Sequence, residues 1–206
     1  MPATPKQAAQ DVLDRGLALL ALDQAPTAAA TREDIRRMSL AMGIAAIDTY
    51  LHWAVRSSDL DALAAKLGKL DVPFSTLVEM GNTSVDARRR NVRDRPQVRA
   101  RNVLNERILT MTFQTSRQVE DALSMAGVTQ IWSSMENAFV PHTPAADIKD
   151  RLNRIVHHRN RIVHEGGRRR LVRPQAVTRE VIDRASVNDD LAWIQRFVNA
   201  LSVVCP

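Results

Sequence analysis

Along most of the chain, apolar residues recur three and four positions apart, which is the period of a helix, and no alternating run is long enough to build a strand. The first such segment covers Pro5 to Leu22, with Val12, Leu13, Leu17, Leu19 and Leu20 apolar. Asp23 to Ala30, which contains Pro26, reads as a break. Thr31 to Asp34 then offers a capping signal for a long helix through Ile35, Met38, Met42, Ala45, Ile47 and Tyr50 to about Arg56. Ser57 to Asp59 caps a short helix ending near Gly68. Pro73 opens another segment, with Leu77, Val78 and Met80, interrupted around Gly81 to Thr83. A further helix carries Val103, Leu104, Ile108 and Leu109, with Phe113 beyond it. Ser116 to Met125 is strongly helical, Gly127 ends it, and Ile131, Trp132, Met135 and Phe139 form the next apolar set.

The last third is the clearest. Thr143 and Pro144 make an N-cap and first-turn pair for a helix reaching His164, which Gly166 and Gly167 terminate. A basic loop, Arg168 to Arg173, precedes two more helices, near Gln175 to Arg184 and Asn188 to Val203. These elements predict an all-α fold, a single helical-bundle domain. Residues 1–30 are an N-terminal helix and linker, and 31–206 are the main helical domain, with an Arg-rich segment over 86–101.

Composition agrees. Hydrophobic residues are 45 % of the 206, enough for a substantial core, while aromatics at 4 % disfavour a sandwich built on aromatic cross-strand pairs. The net charge of +6 concerns partners rather than fold: it suits a phosphate-rich ligand or an acidic protein. Most of that charge is arginine, which makes two-pronged contacts to phosphate. Cys205 is the sole cysteine, so neither a disulfide framework nor a cysteine metal site is available within the chain. No apolar run reaches the roughly 18 to 20 residues that span a bilayer, and the N-terminus lacks the pattern of a secretory signal, so a cytoplasmic protein is expected.

Candidate chemistry gathers on the Ile148 to His164 helix. At about 100° per residue, Ile148, Leu152, Ile155, Val156, Ile162 and Val163 form one apolar stripe about 120° wide, and Arg159 falls near its middle. A guanidinium there needs a carboxylate, a phosphate, or solvent at a subunit seam. Asn153, His157, Asn160 and His164 line a second face, where Asn160 stands one turn before His164 and is placed to orient its ring. Arg159 and His164 lie roughly 140° apart, so two copies of the helix reach a common atom more readily than one. His157 and His158 have no matching carboxylate cluster, and no metal is expected.

The run Arg159-Asn160-Arg161-Ile162-Val163-His164 resembles the motif of HEPN ribonucleases: arginine, a polar residue, three more, then histidine. The longer HHRNRIVHEGG is similar to the version in the RiboL-PSP-HEPN group. Downstream, a polar loop, a short helix and an apolar terminal helix with Trp193, Ile194, Phe197 and Val198 also fit. AAIDTYL (Ala45 to Leu51) and SRQVEDAL (Ser116 to Leu123) are weaker echoes. The resemblance covers about residues 35 to 203, and its specific part is 155 to 167. This sequence has Gly167 where the group often carries an acidic residue.

The resemblance implies a homodimeric, metal-independent endoribonuclease that needs no cofactor. Its composite cleft would hold Arg159 and His164 from both chains, with Asn160 orienting His164 or the phosphate. The RNA 2′-hydroxyl would attack the phosphate and leave a 2′,3′-cyclic end. Arg161, His157, Arg168 and Arg169 would hold substrate. It further implies a toxin, with an antitoxin partner, or an antiviral defence effector. Two other readings stay open: a non-catalytic HEPN-type module binding nucleotides or proteins, and a helical nucleic-acid-binding regulator using the arginine runs, for which no helix-turn-helix spacing is evident.

Overall fold

The computed structural model describes residues 3–24, 28–60, 70–165 and 179–206. Its order of elements is α1 (Pro5–Ala21), α2 (Ala29–Ser57), α3 (Phe74–Arg89), α4 (Pro96–Leu109), α5 (Ser116–Met125), α6 (Ile131–Ala138), α7 (Ala145–Glu165) and α8 (Arg184–Val204), with no strand among the described residues.

The second helix is the axis of the molecule. Its buried residues, including Leu40, Gly43, Ile44, Ala46, Ile47, Tyr50 and Leu51, spread around more than one face because α1, α8, α7, α5 and α4 all pack on it. The first helix runs antiparallel to it: Asp23 bonds Arg36, and Gly16 lies against Met42 and Ser39. A Thr4–Gln7 capping box and Pro5 in the first turn start α1, and Ala9, Leu13, Gly16 and Leu20 bury its inner face. Residues 1–30 thus add Ala9, Leu13 and Leu20 to the same core as the rest of the chain. Helix α8 runs parallel to α2. Leu191 and Ile194 meet α2 at Gly43, where a Cβ would lie 2.6 Å from Leu191 Cδ2, and the Tyr50 hydroxyl donates to the Cys205 carbonyl farther along. The fold is a single all-α domain.

Polar groups fix the connections. The Asp48 carboxylate accepts the Phe113 amide at 2.6 Å, and His52 Nε2 lies 3.0 Å from the Ile108 carbonyl, which ties the α4–α5 link to α2. Arg36 grips Asp23 with Nε at 2.6 Å and Nη2 at 3.2 Å, and its Nη1 donates to the Ile182 carbonyl. Neighbouring Arg37, itself buried, donates to Glu33, Asp34 and the Glu180 carbonyl. Two adjacent arginines of α2 therefore clamp the segment that leads into α8.

Several boundaries differ from the sequence expectation. Thr31 caps nothing: α2 starts two residues earlier, after Ala28, without a side-chain cap. Helix α3 passes unbroken through Gly81 to Thr83, since a lone glycine weakens a helix without ending it, and Thr83 returns its hydroxyl to the Glu79 carbonyl. It ends instead at Asn91, whose left-handed φ of 52° lets the Asn91 and Val92 amides reach the Arg88 and Ala87 carbonyls. Gly127, at φ 94°, closes α5 the same way. Thr143 does not cap α7. Its hydroxyl turns back to the Pro141 carbonyl, and the Ala145 amide goes to the Glu136 carboxylate at 3.1 Å. Residues 179–183, which belong to the helix expected near Gln175 to Arg184, are not helical, and the terminal helix begins at Arg184, ahead of Asn188, because Asp183 caps it through the Ser186 amide and Val187 is buried. Leu109 is exposed, although Leu104 and Ile108 are buried. Residues 61–69 and 166–178, including most of the short helix expected to end near Gly68, the Gly166–Gly167 stop, the basic loop Arg168 to Arg173 and the first residues of the helix expected near Gln175, lie outside the described residues. Among those described, no helix is long and apolar enough to cross a membrane.

Hydrogen bonding from Arg36 holds the Asp23 carboxyl below the usual aspartate range, against the opposing effect of burial. Its stabilising contribution is complete above the ordinary aspartate pKa of about 3.9 and is lost as pH falls through the lower folded value. Asp23→Asn is expected to destabilise the protein at pH 7 by about 3 kcal/mol, as a buried pair broken on one side does. It should also flatten the acid limb of stability against pH. Urea unfolding of both proteins between pH 2 and 7 checks this.

Candidate functional site

Helix α7 is anchored at its start. Glu136 of α6 takes the Ala145 amide, and Asp147 sits in the first turn, where the helix dipole favours it. Ile148, Leu152, Ile155 and Val156 are buried in the core that α2, α5 and α6 share with it. Farther on, the apolar stripe runs out of core. Ile162 is only half-buried, and Val163, placed on the inward stripe by its spacing, is 51 % exposed.

Arg159 stands where the stripe leaves the core. It is half-buried; its Nη1 donates to Asn160 Oδ1 at 3.1 Å, and its Nε is buried without a hydrogen bond. Among the described residues no carboxylate pairs with it. A buried donor left unmade costs about 1–3 kcal/mol; the Nε atoms of Arg32 and Arg99 are likewise buried without a hydrogen bond among the described residues. The bond to Arg159 also gives Asn160 a different partner from the histidine it was expected to orient. His164 is exposed and makes no hydrogen bond among the described residues. Because α7 is unbroken through His164, Arg159 and His164 keep their separation of roughly 140° around the axis.

The other candidates divide. Asn153 is structural: its Oδ1 accepts the Ser116 amide and its Nδ2 donates to the Ser116 hydroxyl, both at 2.9 Å, locking α7 to the start of α5. Arg161 pairs with Glu180 at 2.7 Å, on the very residue whose carbonyl Arg37 holds. This ties the end of α7 to the clamped segment before α8. His157 is exposed and lines an open groove of about 800 Å³ with Asp147, Asp150, Asn153 and Arg154. Arg168 and Arg169 lie outside the described residues. No cluster of three or more histidine, cysteine, aspartate or glutamate side chains arranged for a metal occurs among the described residues.

One group of residues was not visible in the sequence. Half-buried His158 lies between α7 and α8, near Glu180 and Asp190. Burial pushes its pKa down while the two carboxylates pull it up. Burial also pushes the Asp190 carboxyl up, against the pull of Arg151, 3.5 Å away. No local signal marks the set, because its members come from distant parts of the chain that meet only when α8 docks.

Comparison with known protein families, curated proteins and solved structures finds no match.

Asn153→Ala is expected to lower stability by about 1 kcal/mol, the net worth of its hydrogen bonds. His157→Ala, four residues on and exposed, should leave stability within about 0.5 kcal/mol. Denaturant midpoints of the two variants separate the anchoring residue from the unanchored one.

Proposed function

We propose that this chain is a metal-independent endoribonuclease of the HEPN class that acts as a homodimer, with Arg159 and His164 as its catalytic residues. The observation that carries the reading is the Arg159 guanidinium, half-buried with an unbonded Nε, five residues before the exposed His164 on the same helix. The exposed Val163 and half-buried Ile162 beside it give a second copy of α7 an apolar surface to meet. Facing helices would bring the arginine of one protomer and the histidine of the other to one phosphate, which the angular separation on a single helix opposes.

In this reading the RNA supplies the nucleophile. His164 takes the 2′-hydroxyl proton or protonates the leaving 5′-oxygen, a role imidazoles fill because they titrate near neutrality. The 2′-oxygen bonds to phosphorus, the bond to the 5′-oxygen breaks, and a 2′,3′-cyclic phosphate and a 5′-hydroxyl remain. Arg159 stabilises the charge gathering on the phosphoryl oxygens, and Asn160 steadies Arg159 through their shared hydrogen bond. Arg161, committed to Glu180, contributes to the shape of the site more than to substrate contact. A toxin or defence effector governed by an antitoxin is the physiological setting this chemistry suits.

The purified protein, assayed on mixed RNA in EDTA, is expected to produce 2′,3′-cyclic ends and to leave DNA intact. His164→Ala and Arg159→Ala should each lower the rate by about two to four orders of magnitude, the range for a general acid–base residue or an electrostatic stabiliser. Undiminished cleavage by both variants, or no cleavage by the parent protein, removes the catalytic reading; binding without cleavage would favour the non-catalytic module.

Val163→Asp is expected to shift sedimentation from dimer to monomer with little change in melting temperature, since Val163 is not part of the core. An unshifted dimer would place the subunit contact elsewhere.

A further inference from the structure

Helix α3 is turned inside out. It packs on α4 with a side that carries half-buried Thr76, Met80, Ser84 and Ala87, where Ser84 accepts a hydrogen bond from Arg99 at 2.7 Å. No residue of α3 is fully buried. Its most apolar side faces away: Phe74, Leu77, Val78 and Val85 are all exposed, Phe74 at 78 %. At about 100° per residue these four fall within roughly 60° of a common line, and so do Gly81, Arg88 and Arg89. Glu79 and Asp86 lie well off that line. An ordinary surface helix puts such a stripe against its own core.

Gly81 sits near the middle of the stripe. Nothing lies within 4 Å of the position its Cβ would occupy, so the described fold gives no steric reason for a glycine there. Glycine is also a poor helix residue. Small residues at this place let a second helix approach closely. Beyond it the stripe ends in Arg88 and Arg89, with Arg90, Arg93 and Arg95 around the following turn; all are exposed, and none is paired with a carboxylate among the described residues.

We propose that this face of α3 docks an acidic amphipathic helix of a partner protein. The helix is 16 residues long, about 24 Å, a span that an apolar seam of three to four turns would cover. Charge complementarity selects the partner. An acidic helix satisfies the arginines at one end while its apolar face covers the stripe. A nucleic acid would engage the arginines and leave the stripe exposed, and a second copy has no carboxylate on its own stripe to meet them. The proposal stands independently of the ribonuclease reading.

The probe is a fluorescein-labelled peptide of about 21 residues with leucine at heptad a and d positions and glutamate and alanine elsewhere. Its control has lysine in place of glutamate. Anisotropy with the full chain is expected to show saturable binding of the acidic peptide, at least about tenfold tighter than the control. Gly81→Leu, which meets open space in the free chain, should weaken binding at least about tenfold while leaving the circular dichroism spectrum unchanged. The double variant Arg88→Glu/Arg89→Glu should weaken it independently. Equal binding of both peptides, no binding, or indifference to the Gly81 and arginine changes overturns the proposal. So does self-association of the chain that Gly81→Leu abolishes, which assigns the face to a second copy. Oligouridylate that binds the arginines and is indifferent to Gly81→Leu, with no acidic-peptide binding, assigns the tip to nucleic acid and overturns it as well.

Discussion

The enclosure of α2 by its neighbours is the constraint from which the rest follows. A helix of 29 residues with buried positions on several faces can exist only if other elements cover each of them. α1 and α8 approach closely at Gly16 and Gly43 respectively, where α2 and its neighbours leave almost no room for a side chain. α7 takes a further face with Ile148, Leu152, Ile155 and Val156. The position of Arg159 in space is therefore an outcome of core packing: the guanidinium stands where α7 passes beyond the cover that the rest of the core provides.

The same packing separates polar residues that the sequence places side by side. On α7, Asn153 is used to hold α5 and Arg161 to hold Glu180, while His157 and His164 are exposed. Charge is spent in structure before it is offered to a ligand. Arg36 and Arg37 pin the approach to α8, Arg151 reaches Asp189 and Asp190 of α8, and Arg101 caps carbonyls at the end of α2. Among the described residues two places bear on binding: Arg159, whose Nε makes no hydrogen bond, and the tip of α3, whose arginines pair with no carboxylate. These are two different surfaces: a half-buried cation on the helix that also carries the exposed His164, and an exposed apolar stripe ending in arginines.

Helix periodicity, the stop at Gly127 and the span Ser116 to Met125 depend on neighbours within a few residues, and sequence carries that information directly. So did the placement of Arg159 in an apolar stripe, because it needs only the pitch of one helix. Thr31 is no cap because α2 already begins at Ala29, and Thr143 is none because a cap depends on what competes for the amide. Glu136, nine residues before Ala145 in sequence, takes the place expected of Thr143. Val163 was misplaced for a related reason: periodicity gives the face of a helix and says nothing of where its cover ends.

By itself, then, the sequence determined that the chain is helical, roughly where its helices lie, and that one of them carries a cation among apolar neighbours with a histidine five residues on. Only the tertiary structure decided which of those polar groups are already engaged. Contacts such as Arg37 to Glu180, 143 residues apart, arise when α8 closes on α2. It alone also decided that the apolar side of α3 faces outward, since the direction a stripe points is set by the neighbour a helix finds. The physical reason is one of range: hydrogen bonding and pitch within a helix are local, whereas burial and pairing are properties of whatever comes into contact after the chain has folded.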